Sequence, residues 1–194
     1  MIHRSFANQL ADYQFIAEHV RRRGKRKAVS GTALKADVVS IVRLIMRIKP
    51  ELSYFSLHKL FYLVELTAVR KLGRRATTGY IVRQKDGPYC TDLHYKKLER
   101  TFPQMKFRNA GSRLVVSLDH LDMFGDVSTD HEPHMDRLRD IVRDVVNKYG
   151  ENNVASLKRS VYLTGPMRAI LRAEKNEGLN LFNAPIDFSA DAKR

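Results

Sequence analysis

The spacing of apolar residues changes period twice along this 194-residue chain, and the order of the periods limits the folds open to it. Up to about residue 100, apolar side chains recur mostly every three or four positions. Between Met105 and Leu118 they alternate, and from Met135 onward the helical spacing returns. Blocks of this kind, with no βαβ alternation and no internal repeat, predict an α+β domain, mainly helical, with one small antiparallel sheet built on a hairpin.

Individual elements follow from caps and breakers. Ser5 can cap a first helix carrying Phe6, Leu10, Tyr13, Ala17 and Val20 on one face. Ser30 or Thr32 opens a second, which Pro50 stops. Ser53 caps a third that ends near Gly73, with Leu57, Leu60, Phe61 and Val64 turned inward. Thr78 to Gln84 reads as a strand, Lys85-Asp86-Gly87-Pro88 as a turn, and Tyr89 to Arg100 as a fourth helix. The hairpin centres on Asn109 to Ser112. Met135 to Tyr149, then Asn152 or Asn153 through Tyr162, then Met167 to Glu174 are helical, with Gly165-Pro166 as a break. This divides the chain into an N-terminal helix and basic arm (1–32), a central domain (33–175) and a partly ordered tail (176–194).

Charge is unevenly spread. The net charge is +14, with 23 Lys and Arg against 8 Asp and Glu over residues 1–110, and 12 against 13 over the remainder. Such a basic half attracts phosphate backbones or an acidic protein surface. Arg21, Arg22, Arg23, Lys25, Arg26 and Lys27 form an exposed arm that could contact nucleic acid electrostatically. It lacks interleaved aromatics, so base stacking is not indicated. The single cysteine, Cys90, excludes an intrachain disulfide, and no apolar run reaches membrane-spanning length. The first ten residues do not have the pattern of a signal peptide, so a cytoplasmic protein without membrane contact is expected.

Catalytic patterns are sparse. Cys90 and His94 would lie one turn apart on the fourth helix, but a lone, partly buried cysteine is the commoner meaning of that pair. The acidic stretch with His120, Asp122, Asp126, Asp130, His131, Glu132 and His134 matches neither a calcium loop nor a zinc-protease helix, and reads as a solvated connection. No phosphate-binding loop, dinucleotide fingerprint or nucleophile elbow is present. Neither a cofactor nor a metal is expected, and the chain does not read as an enzyme.

The most informative stretch is Leu57-His58-Lys59-Leu60-Phe61-Tyr62. It resembles the motif of the Panacea-type (SocA-like antitoxin) family, in which Leu-Gln-Lys-Leu-Leu-Tyr lies on an early helix. Gly87-Pro88 follows at the family's distance, with Tyr95 after it. Arg143 to Tyr149-Gly150 is similar to the family's amphipathic helix ending in Tyr-Gly, and Val161-Tyr162-Leu163-Thr164-Gly165-Pro166-Met167 resembles its closing segment. His58 stands where the family has Gln, and no Trp precedes Gly87.

The resemblance implies an antitoxin that neutralises a cognate toxin protein by direct contact. Some members are adaptors that deliver the toxin to a protease. From the residues themselves, Leu57 and Leu60 bury the helix, while Lys59 and Tyr62, three apart, can share a side and reach a partner. With His58 and Tyr95 they form the expected partner-binding set. The alternative is that Tyr62 is a half-buried core residue and Lys59 a solvated charge. Gly87 and Pro88 suit a turn and a helix start, or else helix-start amides that take an acidic group. A nucleic-acid-binding protein using the basic half is the alternative function. The oligomeric state is left open.

Overall fold

The computed structural model describes residues 34–111, 113–118 and 133–191. The expected N-terminal helix, the basic arm, the caps at Ser30 and Thr32 and the acidic stretch from His120 to Glu132 lie outside the described residues.

Helix α1 (Ala36–Ile48) buries Val38, Ile41, Val42, Ile45 and Met46 along one stripe. It stops before Pro50, with Lys49 already extended as residues preceding proline tend to be. Helix α2 (Tyr54–Leu72) has the expected ends. The Ser53 side chain accepts from the Ser56 N–H, and Gly73 closes the helix at φ 71°, a left-handed conformation that costs glycine little.

Three strands form one antiparallel sheet in the order β1 (Glu51–Ser53), β5 (Arg113–Leu118), β4 (Met105–Ala110). The predicted hairpin is β4–β5, closing with Ala110 opposite Arg113. A second, two-stranded sheet pairs β2 (Ile81–Gln84) with β3 (Gly87–Cys90). The fold is therefore α+β and mainly helical, with two small antiparallel sheets among the described residues where one was expected.

That second sheet corrects two expectations. Gly87-Pro88 does not start a helix but begins β3, and the helix expected from Tyr89 is shortened to α3 (Tyr95–Thr101) after a 3-10 turn at Thr91–Leu93. The reason is long-range pairing. Tyr89 and Cys90 find partners in Val82 and Ile81. The Asp92 carboxylate accepts from the Tyr80 N–H at 2.9 Å, and the Leu93 carbonyl, which a longer helix would use internally, accepts from the Tyr54 hydroxyl at 2.8 Å. Tertiary partners override a modest local helix preference here.

The C-terminal part holds α4 (Pro133–Tyr149), α5 (Val154–Tyr162) and α6 (Gly165–Asn176). Asn153 caps α5 by accepting from the Ser156 N–H. Gly165-Pro166, expected as a break, opens α6 with proline in the first turn, where its missing N–H costs nothing. The following segment, expected to be only partly ordered, runs back along β2. The Arg83 N–H donates to the Ala184 carbonyl at 2.8 Å and the Ile186 N–H to the Ile81 carbonyl at 3.0 Å. Ile186 and Phe188 then bury against the core, and Asp191 pairs with Arg70.

Helix α2 is the centre of this arrangement. α1, α4, α5, β3 and β5 all pack on it, so it is buried on every side rather than along one face, as a helix in mid-core must be. No helix among the described residues is long and apolar enough to cross a membrane.

Candidate functional site

The central position of α2 decides where its motif residues go. Lys59 and Tyr62, expected to reach outward, are buried, with Lys59 3% and Tyr62 0% exposed. The spacing argument assumed one buried face, whereas elements pack on all sides of this helix.

Lys59 extends across to β3, where its Nζ donates to the Pro88 carbonyl at 2.8 Å and lies 4.6 Å from the centre of the Phe55 ring. Burial lowers its pKa to about 7. The nearby Asp86 carboxylate pulls it up, while Lys158 and Arg83 push it further down. Asp86 itself pairs with Lys158 at 2.7 Å. Gly87 sits at φ 94° beneath the Tyr162 ring. A Cβ there would stand 3.1 Å from Cε2 of Tyr162 and 3.8 Å from Nζ of Lys59. The glycine therefore supplies both the backbone angle and the space. The Tyr162 hydroxyl completes the turn by donating to the Lys85 carbonyl at 3.1 Å.

One turn along α2, the Tyr62 hydroxyl lies 2.6 Å from Oγ1 of Thr164, whose own hydroxyl donates to the Val161 carbonyl at 2.6 Å. Tyr62 is thus the donor, and burial raises its pKa. Segments around residues 59, 87 and 162 therefore meet at one junction, buried at Lys59 and half-buried at Tyr162.

His58 is also buried, and faces a separate aromatic cluster. Its ring stacks on Tyr89 at 4.1 Å and meets Tyr54 edge-on at 4.7 Å. Its Nδ1 accepts from the Cys90 N–H at 3.2 Å, so the ring proton sits on Nε2, which has no hydrogen-bond partner. Burial holds the pKa well below the ordinary histidine value, and the Lys59 and His94 charges add to that. Through Tyr54 and Phe107 the cluster reaches the surface at Tyr95, the one member of the expected partner-binding set that is exposed.

Cys90 ends a strand, so the helical Cys90–His94 pair does not form. Burial pushes its thiol up to about 12, the opposite of what a nucleophile needs. Among the described residues no group of three or more His, Cys, Asp or Glu is placed to hold a metal ion.

Sequence reasoning missed the fully buried Glu65. It accepts from the Thr77 hydroxyl, the Ala76 N–H at 2.9 Å and Arg75 Nε at 3.3 Å. Burial raises its pKa, opposed chiefly by Arg75. The available signal was its place beside Phe61, Val64 and Ala68 on a helix otherwise apolar there. A carboxylate in such a position must bring its own partners. No family model, no curated protein and no solved structure matches this chain.

Proposed function

We propose that the chain is a protein-binding module of antitoxin type, which neutralises a cognate toxin by direct contact and performs no catalysis itself. The observation that carries this reading is the junction on α2. Three segments that resemble the Panacea-type family in order and spacing are also joined physically, by Lys59 to Pro88, Gly87 to Tyr162, and Tyr62 to Thr164. Motif residues that hold one another in place are the kind a fold keeps. Their burial gives them the role of a scaffold, and leaves contact with the toxin to exposed side chains such as Tyr95, which the separate aromatic cluster around His58 backs. An exposed tyrosine backed by packed rings suits an interface, because it excludes water at little entropic cost. The basic surface of the chain calls for acidic patches on the toxin.

The test is co-expression with the protein encoded by the adjacent open reading frame, scored by growth and by co-purification. The reading expects that protein alone to arrest growth, and this chain to restore growth while forming a stable complex. Growth arrest that this chain does not relieve, with no complex on size-exclusion chromatography, would overturn it. Restoration without a complex would overturn the direct-contact part.

A further inference from the structure

Helix α6 sorts its side chains by charge. Pro166 and Met167 are buried, Ile170 packs against the core, and Glu174 turns toward β2 to pair with Arg83 at 3.2 Å. Arg168, Arg172 and Lys175 are exposed. At about 100° per residue these three cations fall within an arc of roughly 60°, and they span about 10 Å of the helix axis. None of the three pairs with a carboxylate among the described residues. Cations on neighbouring elements are neutralised: Lys71 pairs with Asp144, Arg143 with Asp140 and Lys158 with Asp86.

Helix stability does not account for this row. Like charges three and four positions apart repel, and a cation at the end of the first turn, where Arg168 stands, opposes the helix dipole. Lys175, in the last turn, is the one of the three that suits it. The neighbours of the row identify what it fits. On one side stand the exposed Ala169 and Asn176, and on the other Leu171 is half-buried. A protein interface has an apolar or aromatic centre from which lysine is depleted, and no such centre is exposed here. A helix lying on a membrane presents an apolar face to the lipid, whereas the apolar face of α6 is turned into the fold. Arginine, lysine and asparagine side chains without an apolar centre are the groups that contact the phosphates of nucleic acid.

We propose that the exposed face of α6 binds the phosphate backbone of a nucleic-acid duplex through Arg168, Arg172 and Lys175. Along one strand, at ~3.4 Å of axis per phosphate, the row covers about three phosphates. Contacts of this kind position a duplex without reading its bases. The site is separate in sequence from the basic arm at Arg21 to Lys27, and it holds whether or not the chain neutralises a toxin.

The probe is a short fluorescein-labelled duplex, made as DNA and as RNA, titrated with the full chain at several salt concentrations and followed by fluorescence anisotropy. For DNA, the logarithm of affinity falls against the logarithm of salt by about 0.9 per phosphate contact. Arg168→Gln, Arg172→Gln and Lys175→Gln together are therefore expected to flatten the slope by about 2.7, and to weaken binding at low salt by ~tenfold or more. Arg47→Gln, Arg100→Gln and Arg113→Gln remove the same charge from other elements and should keep the wild-type slope. Arg168→Lys with Arg172→Lys keeps the charge and should also keep the slope, which stands as the test should the α6 triple variant melt early. Row-dependent binding of either duplex supports the proposal, and the tighter of the two names the source of the phosphates. No binding of either duplex, or a slope that the α6 variant leaves unchanged, would overturn it. So would an equal change in the control variant, which would make the attraction a property of net charge alone. A polyglutamate peptide held as tightly as the duplexes would assign the face to an acidic protein, and row-dependent binding to phosphatidylserine vesicles but to neither duplex would assign it to a membrane; either overturns the proposal.

Discussion

Tyr62 and Thr164, 102 positions apart in sequence, are joined by a buried hydroxyl pair 2.6 Å apart that ties the central helix to the start of α6. The direction of the bond makes the two ends unequal. Tyr62→Phe removes the donor and leaves Thr164 bonded to Val161, so the cost is that of one ordinary hydrogen bond, about 1 kcal/mol. Thr164→Val strands the tyrosine hydroxyl in the core, at roughly 1–3 kcal/mol. Tyr62→Ala opens a cavity and costs roughly 3–5 kcal/mol. Urea denaturation should rank the three variants in that order, and equal midpoints for all three would refute the bond's direction.

Gly87→Ala is expected to destabilise the chain beyond the usual effect of a strand substitution. It forces a non-glycine residue to φ 94° and pushes a methyl group toward the Tyr162 ring. Strain of this kind costs on the order of 1–3 kcal/mol before any steric contribution. Pairing it with Tyr162→Ala in a double-mutant cycle separates the two parts: relief of the steric part appears as a coupling energy, and the backbone part remains.

The pH dependence of stability should carry the mark of Lys59. Its pKa is lowered to about 7 in the folded chain, against about 10.4 for a solvated lysine. Between those values the unfolded chain binds the extra proton, so this residue makes stability rise with pH through that window, and its full penalty is present below it. His58, also held below its ordinary value, contributes with the same sign in a lower window, below about 6.5. Thermal melts from pH 7 to 10 should show a rise for the wild type that Lys59→Met lacks. Parallel curves for the two proteins would mean the amine is better solvated than its burial indicates.

Cys90 is expected to be inert while the chain is folded. Its thiol is buried and its pKa is pushed up to about 12, so almost no thiolate forms at pH 8. Labelling with iodoacetamide should be negligible in buffer and complete in denaturant, as read by intact mass. Rapid labelling of the native chain would place Cys90 at the surface.

Local signals in the sequence determined much of this protein. The cap at Ser53, the left-handed stop at Gly73, the Asn153 cap and the alternation across β4 and β5 depend on a few adjacent residues, and each appears where its local chemistry puts it. Tertiary structure alone decided the rest. That Tyr89 and Cys90 join a strand depends on Ile81 and Val82 lying opposite them. That Lys59 and Tyr62 turn inward depends on how many elements surround α2, whereas helical periodicity reports only that some face is buried. The chain after α6 has little periodicity of its own, and is held by backbone groups of β2 and by the pockets that Ile186 and Phe188 fill. Caps and alternation act over a few residues, so one sequence displays them, but burial on all sides is set by segments up to about a hundred positions away.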